Sequence, residues 1–151
     1  MKISDYLQKE NCITDLKAST KQEAIIEIAD KLYSCGKVID KERFIHDVLR
    51  REELGSTGIG HKVAIPHSPT EGVGGFVIGF GRSIGGIDFD SIDADKVNLI
   101  FLMGTNPGEL GLYLRLLAKL SKLLNDENFR RELIAAENAD EAVSIFKRYE
   151  M

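Results

Sequence analysis

Three short apolar runs, Val63-Ala64-Ile65, Gly75 to Phe80 and Val97 to Met103, lie in a glycine-rich centre between two flanks of helix-forming residues. On length, and on their Val, Ile and Phe content, these runs read as buried strands. Periodicity alone would let the segment around Phe101 pass for helix, but Thr105-Asn106-Pro107-Gly108 is a turn signal that stops it. Helix, helix, strands, helices is the order of an α/β sandwich, in which helices cover both faces of one sheet. Strand order is not encoded in this pattern.

The flanks carry their own start and stop signals. Thr20-Lys21-Gln22-Glu23 fits a capping box, in which a hydroxyl and a carboxylate take up free amides at a helix start. Ala24, Ile25, Ile28, Ala29 and Leu32 follow at helical spacing, and Gly36 can end the helix. Asp40 is placed to cap a second helix with Phe44, Val48 and Leu49 on its apolar face. Beyond the central turn, Leu110, Leu117, Leu120 and Leu124, with Leu116 and Leu123, predict a long helix with a wide apolar stripe. Phe129, Leu133 and Ile134 mark another. Asn138 with Glu141 is a variant capping box opening a last helix that carries Ala142, Val143, Ile145 and Phe146.

The length of 151 residues suits one domain, so residues 1–151 are expected to form a single unit. A chain of this size buries roughly 68–70% of its unfolded surface and needs no covalent staple. Against 24 acidic residues stand 20 basic ones, a net charge of −4. That balance speaks against a dedicated nucleic-acid or anionic-membrane binder, although it leaves room for a small basic pocket. Two cysteines, Cys12 and Cys35, exclude a disulfide scaffold and a cysteine-rich zinc module. The start, MKISDYLQKENC, has no signal-peptide pattern, and the longest apolar run falls far short of the ~20 residues that span a membrane. A soluble, reduced, cytoplasmic protein is the expectation.

Candidate chemistry is sparse. His46 lies mid-helix between Ile45 and Asp47 and reads as a solvent-face residue. His61 and His67 are six positions apart, too far along an extended chain to share an ion, and no Cys, Asp or Glu sits nearby in sequence. No metal is expected. The stretch Gly55-Ser56-Thr57-Gly58-Ile59-Gly60-His61-Lys62 looks like a phosphate loop, yet His61 and Val63 occupy two positions that a Walker motif reserves. No helix pattern follows Gly58 and Gly60, so a dinucleotide site fails too. No cofactor is expected, and any phosphate chemistry must draw its phosphoryl group from something other than bound ATP. Serine hydrolysis lacks a Gly-x-Ser-x-Gly elbow, and neither cysteine has a reactive context.

His67 is the residue left over. It follows Val63-Ala64-Ile65-Pro66, which places the imidazole where the sheet ends and the chain turns out. Pro66 fixes its own φ and biases Ile65 towards an extended conformation, and Pro69 stiffens the exit. A histidine held there is partly unprotonated near neutral pH and can act as a nucleophile. Local sequence leaves a polar strand-end residue equally open.

Glu52, Ile59-Gly60 and Val63-Ala64-Ile65-Pro66-His67 together resemble the phosphohistidine signature of the fructose–mannitol type of enzyme IIA. These are domains of the bacterial phosphoenolpyruvate-dependent sugar phosphotransferase system, and the type includes the nitrogen-regulatory enzyme IIA. Arg51-Glu52 ahead of Gly55 to Gly60, Gly86-Ile87-Asp88-Phe89, Val97 to Leu102 and Tyr113 to Ala118 resemble further family segments, so the likeness covers nearly the whole chain. The resemblance implies a covalent phosphocarrier with a three-layer α/β/α sandwich around a mixed sheet. It implies that His67 takes a phosphoryl group from the histidine-containing phosphocarrier protein. The recipient would be a cysteine of an enzyme IIB, or the signal would be read by a regulated kinase or channel.

Arg51 matches the family's active-site arginine, whose planar fork suits phosphoryl oxygens. With Arg50 beside it, local sequence alone also allows a solvated helix-end charge. The glycines around Gly58 would let backbone amides approach the phosphate. Two departures stand out. Ser68 follows the histidine where the family has Gly or another small residue. Tyr113 occupies the position of a second active-site histidine. A phenol donates a hydrogen bond but cannot become cationic, so transfer is expected with an altered rate or phosphorylated-state lifetime. The chain ends at Met151 without an enzyme IIB or membrane segment, which, like Tyr113, leans towards regulation over fructose-like sugar transport. A module that has lost transfer is a third reading.

Overall fold

The Thr20 hydroxyl accepts from the Glu23 N–H at 3.1 Å and starts the first helix where the sequence places it. The Glu23 carboxylate reaches one residue further back than a capping box requires, to the Ser19 N–H at 3.0 Å. Asn138 and Glu141 repeat this arrangement, with the carboxylate on the Glu137 N–H. A computed structural model of residues 1–151 resolves these signals into five α-helices and six strands. The helices are α1 (Lys21–Ser34), α2 (Lys41–Leu54), α3 (Leu110–Leu124), α4 (Glu127–Ala135) and α5 (Ala139–Tyr149). The strands are β1 (Cys12–Ile13), β2 (Gly58–Gly60), β3 (Val63–Ala64), β4 (His67–Pro69), β5 (Phe76–Ile87) and β6 (Val97–Thr105).

The sheet order is β1-β5-β6-β3-β2, with β4 also paired to β6. β5 runs antiparallel to β6, and β2 to β3; β1 runs parallel to β5, and β3 and β4 run parallel to β6, which makes the sheet mixed. Along β6 the side chains alternate between two cores. Leu99, Phe101 and Met103 join the core under α3, α4 and α5, while Ile100 and Leu102 join the one under α1 and α2. A strand buried on both faces must be apolar at every position, which is why Val97 to Met103 reads as a continuous run. Phe80 stacks on Phe101 at 4.9 Å in the first core. The three-layer α/β/α sandwich is thus the observed architecture.

Three features differ from the sequence expectations. β5 continues past Phe80 to Ile87, and its Gly79 and Gly81 lie against α1, where a Cβ on either would come within 2.7 Å of Ile28. The buried Arg82 in the same strand donates to the carbonyls of Thr14, Leu133, Ile134 and Ala136, which satisfies the C-terminal end of α4. These residues break the apolar pattern while remaining in the strand. Along α3, the buried stripe is Tyr113, Leu116, Leu120 and Leu124, so Leu110 faces solvent and Tyr113 turns inward. Third, β2 is a strand of only Gly-Ile-Gly, too short to show as a period.

The turn between β2 and β3 carries positive φ at Gly60, His61 and Lys62 (92°, 56° and 67°). A hairpin turn of this hand favours Asn-Gly, and side chains there pay a left-handed penalty. The Asp93 carboxylate accepts from the His61 N–H at 3.2 Å and holds the turn. The double replacement His61→Asn, Lys62→Gly is expected to raise stability by about 1 kcal/mol, read as a higher urea midpoint. An unchanged or lower midpoint would contradict the strain.

At the other end, Asp47 of α2 accepts from the Thr70 hydroxyl at 2.8 Å and from Arg43 Nε at 2.9 Å, which ties α2 to the chain leaving β4. Burial alone would raise this carboxyl's pKa; the hydrogen bonds from Thr70, Arg43 and His46 outweigh it and hold the value below normal. A depressed folded-state pKa contributes stability in full above the unfolded value of about 3.9, and loses it as pH falls through the folded value. The stability gap between wild type and Thr70→Val is therefore expected to be widest at neutral pH and to shrink below about pH 4. A gap that is flat across that range in urea titrations would exclude the coupling.

Candidate active site

β3 stops at Ala64, and Pro66 offers no N–H to continue the ladder. Its carbonyl still accepts from the Met103 N–H at 3.0 Å, and β4 resumes pairing with His67 opposite Met103. His67 is therefore within the sheet, on a second short strand, and not at the point where the sheet ends. β2 lies beside β3 only, so the outer side of β4 has no strand on it. The histidine stands half-buried in this notch.

Opposite Met103, the His67 side chain shares the face covered by α3. Its Nδ1 lies 2.6 Å from the Ile65 carbonyl oxygen. A carbonyl only accepts, so Nδ1 carries the hydrogen in this contact, and the neutral ring keeps its lone pair on Nε2. The geometry fixes one tautomer and presents one nucleophilic nitrogen.

The Tyr113 ring lies 6.0 Å from the His67 ring, with the planes at 50°. Tyr113 is 4% exposed, and its hydroxyl has no hydrogen-bond partner. Burial raises the phenol pKa well above its ordinary value, with the nearby Arg51 charge acting the other way. Tyr113 is thus a neutral donor with nothing to donate to. Arg51, in the last turn of α2, donates from Nη1 to the Gly55 carbonyl at 3.1 Å. Arg50 is exposed, while Arg51 is partly covered and lies within electrostatic reach of the phenol. The fold brings both His67 and Arg51 near Tyr113.

Other expectations fare differently. Gly58 does not cradle an anion: its N–H already donates to the Ser56 hydroxyl at 3.0 Å, and a Cβ there would come within 3.0 Å of Ser91 Cα. Close packing on Ser91 accounts for that glycine. Ser68 is buried on the opposite face of the sheet, beside Gly104, so the small residue meets a packing need. His46 is exposed, and His61 sits at the strained turn. No three His, Cys, Asp or Glu side chains converge.

Sequence reasoning missed the structural part of Glu52. It is buried at the end of α2, accepting from the Thr57 N–H at 2.9 Å and the Thr57 hydroxyl at 2.7 Å, with Lys21 Nζ 3.2 Å away. The available signal was spacing, because Phe44, Val48 and Glu52 fall four apart on the buried face of α2.

Residues 5–149 match the family described as phosphoenolpyruvate-dependent sugar phosphotransferase system, EIIA 2. The chain belongs to that family. This enzyme IIA is 34% identical over 150 residues to the fructose-specific EIIABC component of Bacillus subtilis, covering 99% of the chain but only 24% of that relative. It is 33% identical to the nitrogen regulatory protein of Bradyrhizobium diazoefficiens, over 96% of the chain and 94% of the relative. The crystal structure of the nitrogen regulatory protein IIA-Ntr from Neisseria meningitidis superposes with a TM-score of 0.84 at 27% identity, covering 95% of this chain and 98% of that one. The enzyme IIA is accordingly a phosphotransferase component. No helix in it is long and apolar enough to cross a membrane.

An unpartnered buried hydroxyl costs about 1–3 kcal/mol. Tyr113→Phe is therefore expected to make the unmodified protein more stable, raising its melting temperature by about 2–4 °C for each kcal/mol recovered. A fall in melting temperature would show that the hydroxyl has a partner in the resting protein.

Proposed function

We propose that this enzyme IIA, acting as one unit over residues 1–151 in the cytoplasm, carries a phosphoryl group on Nε2 of His67. The observation that carries this reading is the 2.6 Å contact between Nδ1 and the Ile65 carbonyl, which in the neutral ring puts the lone pair on Nε2. The donor is the phosphohistidine of the histidine-containing phosphocarrier protein. Its P–N bond breaks as the bond from His67 Nε2 to phosphorus forms, and the donor nitrogen recovers its lone pair. No cofactor or metal takes part. The incoming group brings about −1.5 to −2 charge and several acceptor oxygens. Arg51 supplies positive charge and spare donors, and the free Tyr113 hydroxyl supplies a neutral donor. Leu110 and Leu114, on the same helix as Tyr113, are 43% and 60% exposed and give a docking protein apolar surface beside the site.

The recipient is a cysteine of an enzyme IIB, as the EIIABC naming of the fructose-specific relative suggests. Regulation of a kinase or channel by phosphorylation state is the second reading. It is favoured by the 33% identity to the Bradyrhizobium nitrogen regulatory protein and by Tyr113. A neutral donor stabilises a dianion less than a cation does, and a sensor tolerates slower transfer than a transport component.

Incubation with phosphoenolpyruvate and the two general carrier proteins is expected to add about 80 Da, one phosphoryl group, to wild type and nothing to His67→Ala. Arg51→Ala is expected to slow labelling by about 10²-fold or more, the usual effect of losing one transition-state donor. Tyr113→Phe is expected to shorten the lifetime of the phosphorylated form. Wild type that stays unlabelled beside a labelled control acceptor would end the proposal. Rapid loss of label to an enzyme IIB cysteine marks transport; persistent label with state-dependent binding of a kinase or channel marks regulation.

A further inference from the structure

Resting on the reading of His67 as the phosphorylated nucleophile, we infer that Glu52 is a positioning residue for that histidine, acting through Thr57 and the Ile65 peptide with Lys21 as its anchor. The connection is a sequence of short contacts. The Glu52 carboxylate holds the Thr57 N–H at 2.9 Å and its hydroxyl at 2.7 Å. The Thr57 carbonyl accepts from the Ile65 N–H at 3.1 Å. The Ile65 carbonyl, one peptide further on, takes the hydrogen of His67 Nδ1. Because these bonds pass through different peptide groups, the coupling is positional: Thr57 fixes where the Ile65 backbone sits, and Ile65 fixes the ring.

Glu52 is a costly residue for a packing role. It is 7% exposed, and replacing a buried ion pair by apolar residues of similar volume is often neutral or stabilising. What the carboxylate supplies, and an apolar side chain would not, is two fixed acceptors aimed at one residue. Lys21, at the first position of α1, holds that carboxylate at 3.2 Å, reaches Asp90 at 3.5 Å and lies over the Phe89 ring. The Ser56 hydroxyl donates to the Phe89 carbonyl, so the segment before Thr57 is gripped from the same loop. Both grips converge on the two residues that precede β2. The short β2, with one strand neighbour, has little else to define its register.

The test is ring nitrogen NMR of His67 together with the rate of phosphorylation, in wild type, Thr57→Val, Thr57→Ser, Glu52→Gln and Glu52→Ala, each checked for native melting. Wild type and Thr57→Ser are expected to show the Nδ1–H tautomer and to label at similar rates. Thr57→Val and Glu52→Ala are expected to shift the ring towards a mixture of tautomers and to slow labelling by about 10-fold or more, the scale on which sub-ångström misplacement acts. Glu52→Gln keeps one acceptor and is expected to fall between. If Glu52→Ala does not fold, the Thr57 pair alone decides. Slow labelling with an unchanged ring, or an altered ring with unchanged labelling, would overturn the inference. A ring that responds to Thr57→Val in a protein whose wild type takes no label would keep the positioning and remove the phosphocarrier reading.

Discussion

A single carbonyl, that of Ile65, decides what the imidazole of His67 can do. It accepts from Nδ1 at 2.6 Å, and everything around it is arranged to keep it still. Pro66 restricts Ile65 to extended backbone, the Thr57 carbonyl takes the Ile65 N–H, and β6 takes up the chain on both sides of the break. β6 pairs first with β3 and then, after Ile65-Pro66, with β4. A continuous strand would have buried position 67 under β2, and a true chain exit would have released it. The two-residue interruption between two pairings to one strand gives a histidine that is both half-exposed and held in place.

Much of this was legible in the sequence, for identifiable reasons. Thr20, Asp40 and Asn138 each accept from the amide three residues on, because a capping side chain acts locally and leaves a local signature. β6 was legible because burial on both faces demands apolar residues throughout. Beyond Phe80, β5 was not, since its residues answer to neighbours distant in sequence: Gly81 to Ile28, and Arg82 to the carbonyls ending α4. The inward turn of α3 was equally hidden. Leu110 and Leu117 satisfy the same periodicity as Tyr113, and only docking on the sheet chooses between them. His67, Arg51 and Tyr113 were singled out through a family resemblance, and the fold places His67 and Arg51 near Tyr113, whereas the Glu52–Thr57 link was visible only as a charged residue on an apolar spacing.

Tyr113 and Glu52 make opposite use of burial. Glu52 is a buried charge with every acceptor engaged, so it rigidifies what it touches. Tyr113 is a buried donor left empty, with its ring 6.0 Å from that of His67. The resting protein carries the cost of that empty donor, and on the proposed reading a phosphoryl group on His67 would relieve it. Stability and phosphorylation state would then be linked through one hydroxyl. A second histidine in the same place would be able to gain a proton and so attract the dianion by charge as well. The phenol offers only a neutral donor, which burial keeps protonated.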